Sequence, residues 1–309
     1  MPLTSSVTVG DLPTDELQHR LERIGLRVKL GPVVAEIRSR FSIVRDCISL
    51  HYAAHEIGGD DDFTDFNVSV QPGPGLRRWI KPTAVFRLDD TPPFDPLAAD
   101  QAFALLEWGL NWAISAHCHQ YLMIHAAVIG RGGRALLLPA PPGSGKSTLC
   151  AALVARGWRL LSDELALIDM ETGMLLPLPR PISLKNQSIR IIAGFWPEAQ
   201  MSEVVHDTLK GDVVHVQPPE RDVAGKATRA TPGWIVLPHY EAGAPTRLTS
   251  LGKGKALMHL VDNAFNYSTH GARGFQALGN VIDASVCLDF TYGGDLDDAT
   301  RRFDELARN

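Results

Sequence analysis

Between Arg27 and Asp89 apolar and polar positions alternate with a period near two, the spacing of half-buried strands. "LRVKLGPVVAEIRS", "CISLHYAAHEI", "FNVSVQPG" and "WIKPTAVFRLDD" read as strands. Gly58 to Asp62 and Pro72-Gly73-Pro74-Gly75 read as turns between them. The first ~20 residues read as a short helix or a loose arm. "TPPFDP" then breaks the pattern. Asp95 with Pro96 behind it has the form of a cap and a first helical turn. Phe103, Leu106, Leu110 and Ile114 recur at helical spacing, which predicts a helix from Asp95 to about Ser115. This change of period divides the chain into a β-rich domain over residues 1–94 and a second domain over residues 95–309.

In the second part "YLMIHAAVI" and "RALLLPA" flank Gly130-Arg131-Gly132-Gly133 and predict a hairpin. A short helix from Lys146 to Arg156 stops at Gly157, and "WRLLSDELALID" is the next strand. "IVLPHY" and "SVCLDFTY" predict further strands, and "GKALMHLVDNAF" and "DATRRFDELARN" helices. Strands alternating with helices indicate the α/β class. Residues 177–232 are rich in proline, show little periodicity and read as loops.

Chemistry enters between the hairpin and the short helix. Gly143-Ser144-Gly145-Lys146-Ser147-Thr148 is the core of a phosphate-gripping loop, with Ala140 where the motif's first glycine usually stands. Glycines let backbone N–H groups close around the phosphates of ATP, and the helix that follows adds its N-terminal dipole. Lys146 reaches the β- and γ-phosphates, and the Ser147 hydroxyl ligates Mg²⁺. The chain has no Asn-Lys-x-Asp or Thr-Lys-x-Asp for guanine and no Leu-Ser-Gly-Gly-Gln run, which disfavours a GTP switch and a transporter ATPase.

Asp163 follows Lys146 by only 17 positions. A short helix returning directly to the next strand brings this carboxylate back to the phosphates. There it takes a proton from an acceptor hydroxyl, holds Mg²⁺, or does both. Strand alternation points Glu164 to the other face unless a bulge intervenes, in which case it assists the metal. His125 lies on the first hairpin strand, opposite about Leu138. It is either simply packed or a hydrogen-bond partner that tunes Asp163. In "PRPISLKNQS", Arg180, Lys185 and Asn186 either neutralise a transferring phosphoryl group or are solvated loop residues. His215 and Arg221 have weaker claims. His117, Cys118 and His119 lack matching ligands for a metal site.

Composition narrows the class. The 309 residues are 45% hydrophobic, enough for a real core, and the net charge of −5 argues against a nucleic-acid binder. Four scattered cysteines suggest no disulfide framework. The N-terminus has no signal pattern, and no apolar run reaches the ~20 residues of a membrane span. A reducing cytoplasm is the expected compartment.

"IHAAVI", "GSGKST" and "GWRLLSDELAL", in that order, resemble the HPr kinase/phosphorylase catalytic domain. The family's acidic strand reads Ala-Asp-Asp; here it is Ser162-Asp163-Glu164. "PRPISLKNQS", "GDVVHVQPP" and "DNAFNYSTHG" look similar to segments of the HprK-related kinase A subgroup. The resemblance implies a P-loop kinase domain of the HPr kinase and phosphoenolpyruvate carboxykinase type on a mixed sheet, behind a smaller β-rich domain. It implies ATP and Mg²⁺, Asp163 as the proton-transferring residue, and phosphorylation of a serine-type hydroxyl. No segment matches the family's HPr-docking helix, so a protein or peptide other than HPr is the implied acceptor. A small-molecule hydroxyl kinase and a non-catalytic ATP-dependent module in polysaccharide or peptide biosynthesis are the alternatives. Self-association is left open.

Overall fold

The computed structural model describes residues 7–59, 61–74, 80–141 and 143–308. Asp60, Gly75 and Trp79, which belong to the expected turns and the fourth expected strand, lie outside the described residues, as do the start of the arm and Asn309.

The chain begins with α1 (Thr14–His19) and the hairpin strands β1 (Leu26–Lys29) and β2 (Val34–Ser39). After α2 (Ser42–His51) come β3 (Phe66–Pro72), β4 (Thr83–Leu88) and β5 (Leu97–Ala98), which complete a five-stranded sheet in the order β1-β2-β3-β4-β5. Two expectations are corrected. "CISLHYAAHEI" is not a strand: Cys47 to His51 close α2, whose buried face is Val44, Ile48 and His51. That helical spacing begins before the quoted stretch, so its alternation misled. The long helix also starts late. Leu97 and Ala98 pair with Ala84 and Thr83, and α3 (Ala102–His117) begins only after them.

Phe103, Leu106, Leu110 and Ile114 are buried, as their spacing predicts. They share a core with Val68, Val70 and Phe86 of the five-stranded sheet and with Met123, Leu165 and Leu167 beyond the helix. A Cβ on Gly109 would lie 2.1 Å from Phe86, so the helix sits hard against that sheet. A boundary at residue 95 therefore falls inside one shared core.

The remaining chain is mixed α/β. Its strands are β6 (Tyr121–Arg131), β7 (Arg134–Pro139), β8 (Arg159–Ser162), β9 (Leu165–Asp169), β10 (Leu175–Leu176), β11 (Ile182–Lys185), β12 (Val205–Thr208), β13 (Gly211–Val216), β14 (Thr231–Tyr240), β15 (Arg247–Ser250) and β16 (Val286–Tyr292). Its helices are α4 (Lys146–Ala155), α5 (Gln187–Phe195), α6 (Glu220–Ala224), α7 (Lys253–Asp262), α8 (Tyr267–Ala284) and α9 (Leu296–Arg308). The main sheet runs β10-β9-β6-β7-β14-β16-β15, with β8 also on β6. β14 is parallel to both β7 and β16, whereas β6, β8 and β9 are antiparallel neighbours. Alternation sorts the faces. Leu122, Ile124, Ala126 and Val128 pack with α7 and α8, while Ala127, Ile129, Leu136 and Leu138 pack with α4 and α9. His125 has the parity of the α4 face. Residues 177–232 are not mere loops: β11, β13 and β12 form a three-stranded sheet whose register no periodicity announced. Among the described residues no helix is long and apolar enough to cross a membrane.

Candidate functional site

The loop after β7 turns on glycine. Gly143 and Gly145 have φ of +88° and +84°, where a side chain is strained. At Gly145 a Cβ would also meet the Tyr292 hydroxyl at 2.1 Å. Tyr292, buried at the end of β16, donates from that hydroxyl to the Gly145 carbonyl at 3.2 Å and props the loop. α4 then starts at Lys146 and aims its N-terminus along the loop.

Lys146 is buried. Its Nζ lies 2.9 Å from His125 Nε2 and donates to the Ala140 carbonyl at 3.3 Å. An ammonium only donates, so Nε2 accepts and the imidazole is neutral, its proton on Nδ1. Burial, reinforced by Lys146, pushes His125 down to about 4. Burial also lowers Lys146, against the pull of Asp163 and Glu164. Two expectations for His125 need correction. Its bond is to Lys146, not to Asp163. Leu138 pairs with Ala127, and the last pair before the loop is Ala126 with Pro139. The expected pairing with Leu138 centres the turn near Arg131-Gly132; the turn is Gly132-Gly133, both with positive φ, one residue later, which moves every cross-strand partner by two.

The acidic pair sits where the strand breaks. Val128 faces Ser162 but Ile129 faces Leu160, so one residue bulges between them, and the chain bends through Asp163 and Glu164 before β9. Across that bend both carboxylates line one pocket, with Trp108, Arg180, Ser183 and His215 also on its wall. Asp163 Oδ2 accepts from Ser147 Oγ at 3.2 Å and from the Ser183 N–H at 3.1 Å. Its Oδ1 is buried with no partner. Burial, then the neighbouring Glu164, raises Asp163 to about 6. Glu164 accepts from Asn111 Nδ2 at 2.6 Å and lies 3.7 Å from Lys185 Nζ. Burial would raise it, but Lys185, Lys210 and Lys146 together hold it below the usual carboxylate range.

The other candidates divide. Lys185 stays at the site through Glu164. Arg180 lines the pocket, but its charge is engaged by Glu107 at 2.7 Å, with Asn111 at 2.7 Å and the Tyr52 hydroxyl at 3.4 Å. Asn186 braces the β12–β13 turn, accepting from the Asp212 N–H at 3.1 Å. His215 is buried with both ring nitrogens unpartnered, and burial drives it down to about 3. Arg221 pairs with Asp222 within α6. His117 packs against Trp112 and Phe66. Ser144 Oγ is buried without a partner in the loop, and Thr148 lies one turn into α4.

Three contributors escaped the sequence reading. Glu107 and Asn111, four residues apart in an otherwise apolar helix, were the available signal for the pocket wall. Lys210, 4.9 Å from the Trp108 ring centre, had none, because its turn follows no pattern. Among the described residues no three His, Cys, Asp or Glu side chains gather to hold a metal. The orphaned Asp163 oxygen beside the Ser147 hydroxyl is nevertheless what Mg²⁺ requires of a protein. That ion takes one or two side chains and fills its octahedron with water and phosphate oxygens.

The sequence matches no family model and no curated protein. Among solved structures it is similar to the HPr(Ser) kinase/phosphatase from Coxiella burnetii, at 12% identity over 60% of this chain and 94% of that one, with a TM-score of 0.27. At that distance the likeness adds nothing to the site, which rests on its own geometry.

Proposed function

We propose that the protein is an ATP- and Mg²⁺-dependent kinase that transfers the γ-phosphoryl group to a hydroxyl on a protein or peptide, with a P-loop catalytic region of the HPr kinase type. The observation that carries this reading is Asp163, which lines a pocket, accepts from Ser147 at the start of α4, and keeps its Oδ1 buried without a hydrogen-bond partner. An orphaned carboxylate oxygen at such depth calls for a ligand or a proton.

The loop amides and Lys146 bind the phosphates, Lys146 exchanging its bond to His125 for phosphate oxygens. Ser147 and Asp163 would hold Mg²⁺, and Glu164 supports them. The metal's chemistry there is to neutralise charge on the phosphate oxygens. Asp163 accepts the hydroxyl proton. A base raised toward 6 is better matched to an alcohol than an ordinary carboxylate and is still ionised near neutrality. His125, neutral, is the acceptor that holds Lys146 in place until phosphate takes it. Lys185 and Lys210 lend positive charge. We place the reaction in the cytoplasm, where the four unpaired cysteines are at home.

Incubation with γ-labelled ATP and a cell extract tests the reading. Label on a protein or peptide is the expected result. Label on a metabolite would move the acceptor to small molecules. ATP bound with nothing labelled would refute a kinase.

A further inference from the structure

The carboxylates, His125 and Lys185 all lie on one side of the phosphate loop, over β6 and the β8–β9 bend. The other side, over the ends of β14 and β16, carries none of the candidate chemistry and has its own construction. β7, β14 and β16 are parallel, so the ends of the latter two open at the same sheet edge as the loop. That edge is where open α/β sheets receive ligands.

At the end of β14, after the buried residues Gly233 to Pro238 and the exposed His239, stands Tyr240, 48% exposed. Its Cβ would lie 3.5 Å from a Cβ on Gly145. The Tyr240 and Tyr292 rings meet edge to face at 5.5 Å, and Tyr292 is the residue that props the loop. Backbone bonds from Glu241 N–H to the Tyr292 carbonyl (3.0 Å) and from Gly243 N–H to the Gly293 carbonyl (3.3 Å) lock the strand ends together. A Cβ on Gly294 would lie 3.7 Å from the outer edge of the Tyr240 ring, at ordinary contact distance. A half-exposed ring is thus held beside a phosphate loop, with a glycine at its outer edge.

We propose that Tyr240 is the floor of a nucleobase subsite, taking the purine of the bound nucleotide by stacking, so that the nucleotide lies across the sheet edge with its base over β14 and β16 and its terminal phosphate toward Asp163. The proposal rests on the nucleotide-binding reading above. It assigns the two sides of the loop to the two ends of one substrate. Tyr292, beneath, positions both the loop and the ring.

The test compares ATP with inorganic tripolyphosphate, which has the phosphates and no base, by titration calorimetry on the full-length wild type, Tyr240→Ala and Tyr240→Phe. Tyr240→Ala should weaken ATP about ten-fold, within the range for loss of one base–aromatic stack, and leave tripolyphosphate unchanged. Tyr240→Phe should keep ATP affinity. Unchanged ATP affinity in Tyr240→Ala, or equal losses for both ligands, would overturn the subsite while leaving the loop reading intact. A wild-type protein that bound neither ligand would overturn the loop reading and the subsite with it.

Discussion

Asp163→Asn should make the protein more stable and nearly inactive. The carboxylate is fully buried, and burial with Glu164 beside it lifts its pKa from an ordinary 3.8 to about 6. A displacement of about two units corresponds to roughly 3 kcal/mol of disfavoured ionisation. The sign follows from linkage. A group raised in the folded state contributes stability below its unfolded pKa, and this is lost as pH rises through the folded one. The wild type therefore bears the full penalty above pH ~6 and none well below pH ~4. Asparagine keeps the acceptor for Ser147 and the Ser183 N–H and never ionises. Its gain over wild type should be about 3 kcal/mol at pH 7 and about half of that at pH 5. For 309 residues, at ~2.1 cal/mol/K of unfolding entropy each, 3 kcal/mol is a rise of about 5 °C in Tm. Thermal unfolding in chelator, without nucleotide, measures it. Acceptor phosphorylation at saturating ATP and Mg²⁺ should drop by ~10²–10⁴-fold in the same variant. A variant less stable than wild type, or one whose gain is the same at both pH values, would refute the strained carboxylate. Near-normal transfer would refute the mechanism.

Lys146→Ala removes the buried loop cation. ATP affinity should fall by at least about ten-fold, as for loss of one charged hydrogen bond, and equal affinity in a fluorescent-nucleotide titration would mean that the loop does not bind phosphate. Gly145→Ala should lose nucleotide binding far more than Gly143→Ala. Both have positive φ, but only the Gly145 Cβ collides with Tyr292, while nothing lies within 4 Å of the Gly143 one; equal binding by the two variants speaks against the prop. A chain starting at Asp95 should fail to fold. It would bare Phe103, Leu106, Leu110 and Ile114, roughly 6–12 kcal/mol of burial at ~1.5–3 kcal/mol each, as large as a domain's whole stability. A soluble fragment with a cooperative melt and ATP binding would show instead that a boundary near residue 95 is real.

Local chemistry wrote itself into the chain wherever one short segment suffices. A glycine is needed at a positive φ whatever surrounds it, so the hairpin turn and the phosphate loop were legible. Period decides a face, so the buried stripe of α3 was legible too. Asp163 was found because a short helix can return the chain only to its starting edge. What depends on distant partners was not legible. Whether Glu164 joins Asp163 turns on the bend of the chain between β8 and β9. Whether Arg180 meets phosphate or a carboxylate turns on Glu107, some seventy positions away in sequence and brought to it only by folding. His125 looked like the partner of Asp163, but its partner is Lys146, brought to it by the packing of α4 on β6. The stretch "CISLHYAAHEI" alternates well enough for a strand, but burying Val44, Ile48 and His51 together requires a helix, and that choice belongs to the core they enter. Sequence thus determined which groups are candidates for the chemistry, through backbone sterics and residue type. Tertiary structure decided which of them meet, because burial and register are properties of pairs.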